Sequence, residues 1–296
     1  MLRALAALID QPLARVMMPG LVQDWREIEL KRYSLKTQTD YTRMADNISQ
    51  AFFEFRVDQV RPSHIVQFLS QFASTPRQRN VYRSLMRLIF RHAVLIDLRQ
   101  DNPVEHVPGA RENKRDRYIR DSELRRIKAA ALRGADGRRT ATGPMIAVLI
   151  DLAYLTGQRV SDLLSLRWSD VTNRGIEFKP AKTVNSSGVK LSIGWTASLR
   201  HVIERAKVGP VQGMFVIHGP RGQQWRYPGV KSAWRRACER AGIKDAHFHD
   251  IRAKALTDVR RRLGEDAAQA LGGHTTAEMT ARYVKAREVQ QANATR

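Results

Sequence analysis

The sequence holds a single cysteine, Cys238, among 296 residues. One thiol excludes an internal disulfide and any multi-cysteine metal site, and it suits a reducing cytoplasm. Acidic residues are also scarce: 29 Asp and Glu stand against 51 Lys and Arg, a formal charge of +22 at pH 7. A surplus of that size, spread through a folded chain, points to a polyanionic partner, nucleic acid ahead of an acidic membrane surface or an inert basic exterior. No apolar run approaches the length of a membrane span. The opening MLRALAALIDQPLARVMMPG is mildly apolar, but Asp10 and Arg15 break the uninterrupted segment that a signal peptide needs. Internal repeats, low-complexity tracts, glycine-rich phosphate loops and carboxylate clusters suited to metal ions are absent too. With 43% hydrophobic residues and modest Gly and Pro, the chain reads as globular and long enough for two ordinary domains.

From Leu21 to Leu98 the pattern is helical throughout. TQTDYTRMADNISQAFFEF places Tyr41, Met44, Ile48 and Phe52 on one face, with Thr37 or Thr39 as the expected N-cap. PSHIVQFLSQFA predicts a shorter helix capped by Ser63, with Ile65, Leu69 and Phe72 inward. In TPRQRNVYRSLMRLIFRHAVLI, Thr75-Pro76 starts a helix whose expected apolar stripe is Val81, Leu85, Leu88 and Ile89. Arg77, Arg79, Arg83, Arg87 and Arg91 dominate its other positions. They read either as a solvated basic face or as a helix laid along DNA, and the pattern does not separate phosphate contacts from base contacts.

DNPVEHVPGARENKRDRY combines two prolines, a glycine and a run of charge, the composition of an inter-domain joint. This gives an N-terminal extension over 1–20, a helical domain over 21–108, a linker over 109–117 and a second domain over 118–296. The second domain opens with a helix capped at Asp121 or Ser122, followed by the nearly all-apolar MIAVLIDLAYL, a buried core helix. Gly157 ends that helix, and another begins near Val160, burying Leu163, Leu164 and Leu166. Arg159 therefore stands at a helix N-terminus, where anions are favoured. Two β-branched runs flank NSSG in GIEFKPAKTVNSSGVKLSIGW, the mark of a hairpin, with Lys179, Lys182 and Lys190 on or near it. Helix-like TASLRHVIERAK, a short apolar strand MFVIH and the helix VKSAWRRACERAG follow, with Gly242 as its stop and Cys238 in its core face.

The segment His247–Val284 collects the remaining chemistry. His249 and Arg252 form an H-x-x-R pair one helical turn apart. Gly272-Gly273 ends one helix, and Thr275 with Glu278 reads as a capping box for the next, with His274 just before it and Tyr283 upon it. A tyrosine lying over Met279 is ordinarily core packing, and His247 reads as structural.

TGQRVSDLLSLRW resembles the first arginine box of the tyrosine recombinases, the phage integrase family, with Asp162 at that family's acidic position. HDIR resembles the second box, and LGGHTTAEMTARY the histidine-to-tyrosine block, departing only in the doubled glycine at Gly272. Lys182 matches the family's hairpin lysine. The order Arg159, Lys182, His249, Arg252, His274, Tyr283 covers the second domain; the first matches only in helical character and position.

The resemblance implies a mainly α fold with a small β-hairpin: an N-terminal helical core-binding domain and an α+β catalytic domain. It implies a site-specific recombinase or integrase that cleaves and rejoins DNA through a 3′-phosphotyrosine. Tyr283 would be the nucleophile, Arg159 and Arg252 would hold the phosphate, and His249 and His274 would donate to it. Lys182 would be the acid for the leaving oxygen. No cofactor or metal is expected. The expected partners are duplex DNA, a homotetramer on two sites and possible accessory DNA-bending proteins, in a cytoplasmic protein encoded by a bacterium, phage or mobile element. With the first domain starting near Leu21, a simple two-domain enzyme without a separate arm-site domain is expected. The rival readings are a non-cleaving DNA-binding protein of the same fold and a type IB topoisomerase.

Overall fold

A computed structural model describes residues 16–113, 115–179, 191–208, 213–281 and 283–284. The chain divides into two compact units, Met1–Lys114 and Arg115–Arg296.

Among the described residues of the first unit stand four α-helices: α1 (Met18–Ile28), α2 (Leu35–Ala51), α3 (Pro62–Ser70) and α4 (Pro76–Leu95). Their core gathers Trp25, Ile48, Leu69, Leu85, Met86 and Phe90, each such side chain worth about 1.5–3 kcal/mol of burial. Helix starts differ from expectation by a few residues. Ser34, not Thr37 or Thr39, caps α2, its hydroxyl accepting from the Thr37 amide. Arg61 precedes α3 in place of Ser63, and the His64 Nδ1 accepts its amide. The stripe of α4 is also rotated: Tyr82, Leu85, Met86, Ile89, Phe90 and Ala93 are buried, Leu88 is half-buried and Val81 is exposed. Tyr82 takes the inward place because its ring stacks on Phe72 and its hydroxyl accepts from Asn47.

The second unit is built around α6 (Gly143–Thr156), packed against α5 (Asp121–Leu132), α8 (Ala197–Lys207) and α10 (Asp250–Leu263). Its other helices and strands among the described residues are α7 (Val160–Ser165), α9 (Tyr227–Arg240), α11 (Glu265–Gly272), α12 (Ala277–Ala281), β1 (Gly175–Phe178) and β2 (Leu191–Gly194), with a 3-10 turn at Trp168–Asp170. The strands pair antiparallel, Gly175 opposite Gly194 and Phe178 opposite Leu191. The fold is thus mainly α with a small hairpin sheet, as expected. MFVIH is a correction: it forms no strand, but makes isolated bridges from Phe215 to Arg167 and from His218 to Gln224, with the Met214 carbonyl accepting from the Trp168 amide and the Val216 amide donating to the Leu166 carbonyl. Arg120 stands at the start of α5 where Asp121 or Ser122 was expected, its amide held by Glu123.

Two polar clusters fasten the unit's first residues to α10. Arg115 binds Asp245 and Asp250, and these hydrogen bonds outweigh burial to raise its pKa. Lys254 is fully buried and donates to Asp258 and Tyr118 at 2.8 and 2.9 Å, with Asp121 also paired. Burial pushes the Lys254 ammonium down, but Asp121, Asp258 and Tyr118 together hold it above lysine's ordinary value. Among the described residues, no helix is long and apolar enough to cross a membrane.

Candidate active site

Gly157 ends α6 in the left-handed conformation, φ 61°. That turn brings Arg159 to the start of α7, where its guanidinium lies 3.9 Å from the Asp162 carboxylate, itself only 4% exposed. Arg252, in the first turn of α10, is 2% exposed. Its Nη1 donates to the Gly157 carbonyl, and its Nη2 donates at 2.8 Å to the Gly272 carbonyl and at 2.7 Å to His274 Nε2. Its buried Nε has no hydrogen-bond partner among the described residues. Burial, then repulsion from Arg159, pulls the guanidinium down to about 10. Two arginines held this close, one of them sealed from water, make a place where an anion is strongly favoured.

His274 is 6% exposed. Burial, then the charges of Arg252 and Arg159, push its pKa down to about 4, so the ring is neutral at physiological pH. Its tautomer follows from its neighbours. Arginine has only donors, so the Nε2 facing Arg252 must accept and the ring proton sits on Nδ1. The atom 3.0 Å from Nδ1 is the Thr280 hydroxyl oxygen, which therefore accepts. Gly272 makes room for the ring: a Cβ there would lie 2.8 Å from two of its atoms, Cε1 and Nδ1. The doubled glycine is thus a fit to this histidine.

Tyr283 does not lie on α12. It sits in the turn after it, its amide bonded to the Thr280 carbonyl at 2.9 Å. Its half-buried ring stacks on His274 at 5.1 Å and 18°, meets His249 at 5.5 Å, and has the Arg252 guanidinium 4.8 Å from its centroid. His249 stands exposed immediately before α10. Thr276, not Thr275, accepts from the Met279 amide at the start of α12.

Arg159, Asp162, His249, Arg252, His274 and Tyr283 therefore converge. Lys182 lies outside the described residues. Lys179 is exposed and 3.9 Å from Asp170. The hairpin's β2 end reaches the site, since a Cβ on Gly273 would touch Leu191 Cδ2 at 3.6 Å. In the first unit, Arg77, Arg87 and Arg91 are exposed on α4, while half-buried Arg83 donates to the Val107 carbonyl, a structural use, and Arg79 is half-buried. His247 is exposed. Cys238 is buried, its thiol pushed up to about 12, chiefly by burial. Among the described residues, no group of three or more His, Cys, Asp or Glu forms a possible metal site.

Two residues escaped the sequence reading. Gln158, 2% exposed, donates to the Thr156 and Leu271 carbonyls and ties the turn before Arg159 to the turn before His274. Thr280 is the other. Neither carries a periodicity or motif signal; both act across tertiary contacts.

The model of the phage integrase family matches residues 117–289. The chain is 23% identical to the integrase of Enterobacteria phage 434 over 262 residues, covering 84% of this chain and 70% of that protein. It is 30% identical to a shufflon-specific DNA recombinase of Escherichia coli over 194 residues, 64% of this chain and 45% of that protein. Among solved structures, a lambda integrase dimer bound to a COC′ core site superposes with a TM-score of 0.81 at 20% identity, covering 93% of this chain and 80% of that one. A lambda integrase tetramer bound to a Holliday junction matches equally well, with a TM-score of 0.81.

Proposed function

The chain belongs to the phage integrase family, and from that membership and the site's geometry we propose that it is a site-specific DNA recombinase with Tyr283 as its nucleophile. The observation that carries the reading is the meeting of Tyr283 with a buried arginine, Arg252, whose Nε–H is still unsatisfied. A phosphodiester is anionic and gathers further charge on its equatorial oxygens as it is attacked. Arg159 and Arg252 hold those oxygens and stay charged at any working pH.

The Tyr283 oxygen attacks phosphorus, a 3′-phosphotyrosine forms, and the bond to the 5′ oxygen breaks. A free phenol ionises near pH 10, so a base must take its proton; His249, facing the ring, serves. Lys182 supplies the proton to the departing 5′ oxygen. Attack by a 5′-hydroxyl of a second strand reverses these bonds and completes exchange, the covalent link conserving the energy of the first. Asp162 steadies Arg159 by partial charge compensation.

Duplex DNA is the substrate. The acting assembly in this reading is a homotetramer on two sites, in keeping with the lambda integrase tetramer on a Holliday junction, and accessory DNA-bending proteins assist it. The exposed arginines of α4 bind phosphates of the core site. The enzyme works in the cytoplasm.

The test is a nicked suicide substrate. The native chain forms a covalent protein–DNA adduct and Tyr283→Phe forms none; an undiminished adduct with the phenylalanine variant removes Tyr283 from the mechanism.

A further inference from the structure

We propose that Thr280 is a positioning residue for DNA cleavage, setting the tautomer of His274 and the seat of Tyr283 at once. Thr280 is fully buried. Its hydroxyl oxygen lies 3.0 Å from His274 Nδ1, and its carbonyl accepts the amides of Tyr283 at 2.9 Å and Val284 at 3.2 Å. One residue thus links the imidazole to the backbone of the nucleophile's turn.

The chemistry gives this link a direction. With the proton on Nδ1, Nε2 offers a lone pair to Arg252, whose guanidinium in turn holds the Gly157 and Gly272 carbonyls. In the other tautomer, an Nε2–H would face an Arg252 N–H, donor against donor. Protonating the ring is no remedy, because it sets a third cation beside those of Arg252 and Arg159. The Thr280 oxygen is the acceptor that completes the one arrangement in which both ring nitrogens of His274 are matched. Without it, a buried N–H is left unsatisfied and the ring is free to turn or change tautomer, loosening Arg252 and the face on which Tyr283 stacks.

The inference rests on Arg252 and Tyr283 acting as proposed above, but its structural half is read without any reaction. Nitrogen chemical shifts of the His274 ring, measured on the DNA-free full chain, report the tautomer. The native protein should show Nδ1 protonated and Nε2 bare. Thr280→Val, close in shape but without the acceptor, should show a mixture or the opposite tautomer. Its adduct formation on the suicide substrate should fall roughly tenfold to a hundredfold, the scale of a small misplacement of reacting groups. Thr280→Ser keeps the hydroxyl and should restore both the shifts and the rate. Because Ser and Val bracket the native residue in size, rescue by Ser alone separates hydrogen bonding from packing. A native His274 protonated on Nε2, a Val variant cleaving at the native rate, or a Ser variant as slow as Val overturns the proposal. If instead Tyr283→Phe still forms the adduct while the shifts behave as stated, it is the catalytic reading that fails and the tautomer assignment that stands.

Discussion

Lowering the pH from neutrality should destabilise the protein through His274 in a way that a non-titrating replacement abolishes. The ring is buried beside two guanidiniums, and its pKa is pushed from 6.5 to about 4 by burial and then by Arg252 and Arg159. In the unfolded chain it ionises at its ordinary value. Between those two points the unfolded state binds a proton that the folded state refuses, so the free energy of unfolding falls as the pH drops. The loss begins near pH 6.5 and is complete near pH 4. A displacement from 6.5 to about 4, at about 1.36 kcal/mol per pH unit, amounts to about 3 kcal/mol. Carboxylates titrate over part of the same range, so the quantity to compare is a difference. Urea unfolding of the native chain and of His274→Gln, which keeps a carbonyl acceptor for Arg252 and does not ionise, should give curves that converge or cross by about this amount on acidification. The ring's Cε1–H resonance, followed through the same titration, gives the folded pKa directly. A resonance titrating near 6.5, with parallel stability curves, would mean that Arg252 does not sit against Nε2, and the account of the site would lose its centre.

Two other perturbations probe the second unit. Lys182→Ala should block cleavage at a normal 5′ oxygen but spare a substrate whose leaving atom is sulfur, which needs no proton to depart; gel assay of the two substrates decides, and failure on both places the acid elsewhere. Lys254→Met removes the fully buried ammonium that Asp258, Tyr118 and Asp121 enclose and should cost about 3 kcal/mol in urea unfolding, the low end for a broken buried pair because Asp258 keeps two phenol donors; native-like stability would show that the cluster contributes nothing.

The residues of the candidate site are readable in the sequence because each lies in a short string with its own local logic. Gly157 must end a helix, so Arg159 falls at a helix start; His249 and Arg252 lie three apart at the start of another. What stayed hidden depends on chain segments far apart in sequence. Lys254 carries no signal in the sequence because Tyr118 and Asp258 close around it only in the fold, and Arg252's hold on the turns at Gly157 and Gly272 joins segments 95 and 20 residues away. Local signals also misjudged fine placement. Tyr82 displaced Val81 from the core because a ring stacked on Phe72 buries more surface than a valine, and Ser34 took the cap from two nearby threonines. MFVIH had the composition of a strand but meets only isolated backbone partners, and Met214 is left exposed. The sequence pattern carries a helix through Tyr283, but α12 stops at Ala281, and that shift matters, since in the turn the ring meets His274, His249 and Arg252 together.

The most direct test of the whole account is to trap the native chain on a suicide substrate, digest the adduct and identify the modified residue and the DNA end it carries. Tyr283 should be found joined to a 3′-phosphate, with a free 5′-hydroxyl on the released strand. Attachment through another residue, or to a 5′ end, would contradict it.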